Sequence, residues 1–255
     1  MSALSIHLDG IGWRSSGAAD WSEAAARLRS GERPAREPGV RCAPALLPPN
    51  ERRRAPLPVL LACEVGMQAC AMAGFDAART RCVFASRHGD IGITTAMCET
   101  LADDPFAMSP TRFHNSVLNA AVGYWTVATA CHAPSNALTA GGASFAAGLL
   151  EAAVEALADD EPALLIACDV AADGALGTLL GARSSGAVAL ALSPRRSERT
   201  LATLRLAQRA SAAPCVDGDA IDAAWPLFDA LATRTPARLV LPAGASATLE
   251  IEVGA

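Results

Sequence analysis

Apolar residues recur along the chain with two different periods, and the switches between them mark out the elements. Leu4 to Leu8 alternates well enough to predict a short strand, which Gly10 and Gly12 are expected to end. From Pro58 to Gly74 the spacing is helical, and Leu60, Leu61, Val65, Cys70 and Met72 leave almost no polar face, so this helix is expected to be buried. Arg81 to Ser86 reads as a strand, Arg87 to Asp90 as a polar turn, and Ile91 to Leu101 as a helix that stops at Asp103-Asp104-Pro105. Pro110 then opens a loop, Asn115 or Ser116 can cap, and Val117 to Ala128 forms an amphipathic or buried helix. Gly123 costs that helix about 1 kcal/mol against alanine, which predicts close packing of another backbone there.

Residues 134 to 153 form the turning point of the chain. Gly141 and Gly142 allow a crowded backbone that a Cβ would resist, and good helix formers follow from Ala143. A tight strand-to-helix elbow is the expected result, leading into a central helix from Ser144 to Ala158. Such elbows often present a nucleophile above a helix start, where free N–H groups and the helix dipole favour negative charge. Here glycine stands at the tip. Leu164 to Cys168 and Gly186 to Leu192 are continuous apolar strands of the kind found inside sheets, and Asp169 is expected to begin a loop.

The two ends of the chain are less regular. Residues 14 to 56 read as an irregular arm rich in proline and arginine, in which only Trp21 to Leu28 looks helical and Arg52 to Arg54 form a solvated face. After residue 193, strands are expected near Thr200–Leu206, Arg238–Leu241 and Thr248–Val253, with a helix around Ile221–Ala232. The sum is an alternating α/β pattern around a largely buried mixed sheet.

Composition narrows the function classes. At 255 residues and 51% apolar, the chain is expected to form one domain around one large core. A net charge of −5, from 21 basic and 26 acidic residues, gives no case for nucleic-acid binding or for a membrane surface. Eight cysteines, at 42, 63, 70, 82, 98, 131, 168 and 215, are too scattered for a metal cluster, and Cys63 and Cys70 read as packing residues. No signal peptide is visible, and no uninterrupted apolar stretch approaches the ~18 residues a spanning helix needs. A reduced, cytoplasmic protein with no membrane insertion, no metal and no cofactor is expected.

Taken in order, Ser109-Pro110, Asn119 with Gly123, Pro134-Ser135, the Thr-Ala-Gly-Gly-Ala-Ser elbow, Ile166 to Cys168 and Gly186 to Val188 resemble the N-terminal half of β-ketoacyl-acyl carrier protein synthases. The resemblance implies a thiolase-like fold, layered αβαβα. Its N-terminal half would be well represented by residues 57 to 192, and its C-terminal half truncated or reduced in residues 193 to 255. In that family a cysteine at the elbow takes the acyl chain as a thioester, and two histidines beyond it drive decarboxylation and condensation. This sequence departs on both points: Gly142 falls at the nucleophile position, with Gly141 the only nearby alternative, and the last histidine is His132.

The resemblance therefore points to synthase relatives of the chain-length-factor type, as in bacterial aryl polyene biosynthesis. It implies a heterodimer with a full-length ketosynthase and acyl groups carried on an acyl carrier protein. Met108, Phe113, His114, Gly141, Gly142 and Phe145 would then line or limit an acyl tunnel, although Met108, Phe113 and Phe145 also read as ordinary core. Asn115, Asn119, Gly123 and Tyr124 would lie at the subunit interface. Two rival readings remain open. An acyl hydrolase or acyltransferase could use Ser144, which needs a base such as His88, His114 or His132 within about 3 Å. A homodimeric acyl-binding scaffold is the other.

Overall fold

The computed structural model describes residues 3–211 and 218–254; Cys215 lies outside them. The first strand, β1, spans Leu4–Ser15 and runs straight through the two glycines expected to stop it. The reason is packing. Helix α1 (Trp21–Arg29) starts where the Asp20 carboxylate accepts the Glu23 N–H, and after the short α2 (Pro49–Arg54) comes the apolar α3 (Leu57–Ala73), which lies directly on β1. A Cβ on Gly12 would sit 1.9 Å from the Val65 carbonyl oxygen, and one on Gly10 would sit 2.4 Å from that of Ala69. Both glycines are thus there for close approach. The register of β1 shifts between Leu8 and Gly10, and the intervening Asp9 accepts hydrogen bonds from Thr200 Oγ1 (2.8 Å) and Ser197 Oγ (3.0 Å).

Strand β2 (Arg81–Ala85) and helix α4 (Ile91–Asp103) fall close to expectation, with Asp90 capping the helix through the Ile93 N–H. The next stretch does not. Instead of one helix from Val117, the chain makes a 3₁₀ turn (Pro105–Ala107), then α5 (Pro110–Asn115) and α6 (Ala120–Thr129). Pro110 opens a helix because its fixed φ suits the first helical position, and Ser109 caps it through the Arg112 N–H. Asn115 accordingly ends α5, and Asn119, one residue before α6, makes no capping bond with its side chain.

Strand β3 (Ser135–Leu138), helix α7 (Ser144–Asp159) and strand β4 (Ala163–Asp169) build the elbow region. Where a loop is expected after Asp169, the chain forms a short helix, α8 (Gly174–Leu180), ahead of β5 (Gly186–Ser193). Strand β6 (Ala202–Ala210), a 3₁₀ turn at Asp222–Ala224, α9 (Trp225–Thr233), β7 (Ala237–Pro242) and β8 (Ala247–Gly254) complete the described chain.

All eight strands join one mixed sheet in the order β3-β2-β4-β5-β1-β6-β8-β7. Strand β2 is parallel to β3 and β4, and every other pairing is antiparallel. The last three strands extend the sheet past β1, so the described residues make three layers, one αβα half of the five-layer arrangement. Alternate residues of β4 face opposite layers, as the period of two requires. Leu165 and Ala167 face α7 and belong to the cluster that continues under α1 and α9, where Trp13, Trp21, Phe145, Trp225 and Phe228 pack as a chain of tilted and edge-on rings. Leu164, Ile166 and Cys168 meet α3 and α6.

Residues 141–159, interrupted by Glu151 and Glu155, are long and apolar enough by composition to cross a membrane, yet 56% of that window is buried inside the fold. It is the central helix of the core. Burial also pushes the Cys63 and Cys70 thiols up to about 12, and among the described residues no group of three or more His, Cys, Asp or Glu side chains is placed to hold a metal. Substitution of Gly12 by alanine is expected to force α3 off β1 and to lower stability by about 3 kcal/mol, read as a drop in the urea midpoint.

Candidate functional site

The elbow has the geometry the sequence foretold. Between β3 and α7 the chain turns through Gly141 at φ 59°, and the Ala143 and Ser144 N–H groups bond back to the Ala140 and Gly141 carbonyls at 3.1 Å. Gly142 is buried two residues before the first helical residue, where the start of a sixteen-residue helix leaves backbone N–H groups without intrahelical acceptors. The start of α7 is suited to negative charge, and Gly142 places no side chain there.

Ser144 does not fill that place. It is fully buried, and its Oγ accepts the Ala140 N–H at 2.9 Å while lying 2.7 Å from the Gly141 carbonyl and 3.2 Å from that of Ser86. These partners close the turn, and no histidine is among them. A serine whose hydroxyl is held by main chain and sealed from solvent lacks the base that the hydrolase reading requires.

The strongest electrostatic feature near the elbow is one the sequence reading treated as a loop entry. Asp169 is the last residue of β4 and only 4% exposed. Its Oδ1 accepts Ser86 Oγ–H at 2.6 Å and the Arg87 N–H at 2.9 Å, and its Oδ2 accepts the Ala220 N–H at 2.6 Å. Ser86 Oγ in turn accepts the Gly89 N–H at 2.8 Å. Beside it Arg36, with a side chain 9% exposed, bonds Asp219 at 2.6 Å and also Asp222, while Arg87 donates to the Gly218 carbonyl at 2.6 Å. Burial pushes the Asp169 carboxyl up to about 6 against the pull of its three donors. His88, on the same turn, is held below its ordinary value by burial and by the neighbouring Arg87. The available signal was an acidic residue directly following a fully apolar strand.

The remaining predicted residues fall in separate places. His114, Gly123 and Tyr124 come together along an open groove of ≈ 720 Å³, with the His114 ring 6.2 Å from that of Tyr124. Asn115 is buried next to it, donates Nδ2–H to the Arg54 carbonyl at 3.3 Å, and lines a small cavity of ≈ 40 Å³ together with Phe84, Ser86, Asp90 and Ile166. Met108 is half-buried, Asn119 exposed, and Phe113 61% exposed. Phe145 is wholly buried 5.5 Å from Phe228, with the sheet between it and the groove. Close packing of another backbone is expected at Gly123, but among the described residues a Cβ there would meet nothing within 4 Å.

A mixed sheet covered by helices on both faces, with a strand-to-helix elbow at its parallel end, defines a thiolase-like α/β protein. The chain belongs to the family described as β-ketoacyl synthase, N-terminal domain, whose sequence model matches residues 19–233. No protein of curated function matches it. Among solved structures it is similar to a ketosynthase (ApeO) in complex with its chain length factor (ApeC) from Xenorhabdus doucetiae, at 20% identity and TM-score 0.74, covering 98% of this chain and 99% of that one. It is also similar to AntDE:AntF, a type II PKS acyl-carrier protein in complex with its ketosynthase bound to the hexaketide, at 11% identity and TM-score 0.79, covering all of both chains. The ishigamide ketosynthase/chain length factor matches at 14% identity and TM-score 0.72, over 99% of this chain and all of that one. At these identities the likeness is one of fold.

Because the folded Asp169 carboxyl sits above its ordinary value, its contribution to stability is present in full below about pH 4 and is lost as pH rises through about 6. Measured against Asp169→Asn, which does not titrate, the wild-type advantage is expected to shrink by about 3 kcal/mol between those limits in urea unfolding.

Proposed function

We propose that this chain is a non-catalytic, ketosynthase-like subunit of the chain-length-factor type. It pairs with an active β-ketoacyl synthase and helps to bound the space into which an acyl chain, carried on an acyl carrier protein, grows. The observation that carries the reading is the elbow: a helix start suited to a thiolate, with glycine at positions 141 and 142 and no free nucleophile beside it. The pathway implied is cytoplasmic and of the polyketide or aryl polyene kind, and the chain acts in it as one ketosynthase-like domain.

Two features support a partner. Among the described residues, six of the eleven exposed large apolar side chains lie in the short stretch from Leu101 to Val127, including Phe106 at 99% exposed. The same side of the molecule ends in β3, a four-residue edge strand with an unpaired ladder. Chains of similar fold occur in complexes of a ketosynthase with a chain length factor. In the proposed pair Met108, Phe113 and His114 reach the tunnel wall or the contact, and Asn115, Asn119, Gly123 and Tyr124 belong to the interface.

Co-expression with a ketosynthase encoded beside this chain is the test. The two are expected to elute together and to extend a carrier-bound acyl group, whereas this chain alone forms no acyl thioester and condenses nothing. Condensation by the isolated chain, or a stable monomer that co-purifies with no such synthase, would remove the reading.

A further inference from the structure

Where α1 and α9 lie together over the sheet, away from β3, they leave a pocket of ≈ 390 Å³. Its floor is apolar: Ile11, Trp21, Leu231 and Val253 line it, and each is at most 9% exposed. Its rim is basic. Arg29, Arg196 and Arg234 stand there, all of them exposed, and no acidic side chain lines the pocket among the described residues. A second hollow of ≈ 400 Å³ shares Pro236, Val253 and Gly254 with the first and adds Arg205 and Arg238. None of these residues belongs to the elbow or to the groove beside α6.

That distribution runs against the composition. The chain carries a net −5, yet five of its 21 basic side chains gather round these two hollows against one carboxylate, Glu252. Glu252 pairs with Arg238 at 3.2 Å and lies opposite Arg205 in the register of β6 and β8, so it offsets one of the five charges. Arg29 gives one N–H to the Ala232 carbonyl at 3.2 Å, which steadies it at the end of α9 and leaves the rest of its fork of donors unused. Among the described residues the side chains of Arg205 and Arg234 make no hydrogen bond or ion pair. Completing a helix end therefore explains one bond of one arginine. Like charges gathered without counter-charges repel one another, and an anion in the hollow relieves that repulsion.

We infer that these adjoining hollows bind a small organic oxyanion, a carboxylate or a phosphate ester, that carries an apolar body. Guanidinium forks match both oxyanions in a bidentate way and stay charged throughout the physiological pH range. The buried floor takes the apolar body, and the pocket falls within the usual ligand-site range of about 300–1,000 Å³. Only a molecule small enough to enter reaches Trp21 and Leu231. The site goes beyond the pairing with a synthase and does not depend on it.

Calorimetric titration of the full chain with octyl phosphate, octanoate and octanol tests the site. At low salt at least one of the two anions is expected to bind ~10-fold or more tightly than octanol, and to lose most of that advantage at about 0.5 M salt. Octyl phosphate ahead of octanoate assigns the site to a phosphate ester, and the reverse order assigns it to a carboxylate. Arg205→Ala and Arg234→Ala remove exposed side chains and are expected to leave the Tm unchanged, yet each weakens the preferred anion ~5-fold or more and leaves octanol unaffected. Arg112→Ala, on α5, is expected to bind as the wild type does. Equal affinity for octanol and the anions overturns the inference, as does anion binding that survives both Arg205→Ala and Arg234→Ala. Failure of the wild type to bind any of the three overturns it as well, and leaves the proposed pairing untouched.

Discussion

A single buried carboxylate holds the functional end of the sheet together. Asp169 closes β4 and takes three hydrogen bonds from two separate segments: the turn after β2, through Ser86 and Arg87, and the segment before α9, through Ala220. A carboxylate in that position is costly to bury, and its donors offset the cost only while both segments stay in place. Ser86 carries the constraint one step further, because its carbonyl lies against Ser144 at the first turn of α7. The elbow is thus fixed from below by its own short turn and from the side by a polar network that reaches as far as Arg36 in the arm.

That network helps to hold the elbow in shape. Here the turn is maintained by packing and hydrogen bonds: Gly141 supplies the left-handed residue, Ser144 caps the loose N–H of Ala140, and Phe145 anchors the helix among the aromatic rings beneath the sheet.

Glycine serves two purposes on the helices and strands of this protein. At positions 10, 12, 66, 148 and 177 it removes a side chain so that elements of this chain can touch. At 123 no described residue comes within 4 Å of the Cβ position, on a helix that packs on the core through Trp125 and, more shallowly, through Ala120, Ala121, Val122 and Ala128. The same residue type therefore records both the inside of the fold and a surface that the fold leaves open.

Much of the architecture was legible in the order of the residues. The buried α3, the strands at 81–85, 163–169 and 186–193, the elbow at 139–144 and the absence of a side chain at its tip all follow from local pattern and glycine placement. What the chain could not declare locally was decided by contacts between distant segments. Gly10 and Gly12 read as stops because their purpose lies on α3, more than fifty residues away, and Pro110 read as a break because a helix only six residues long has too few positions to show a period. Asp169 looked like the start of a loop, since the donors that justify its burial come from residues 86, 87 and 220. A sequence displays the propensity of each segment; which buried charge finds its partners, and which glycine finds none, is settled only when the segments meet.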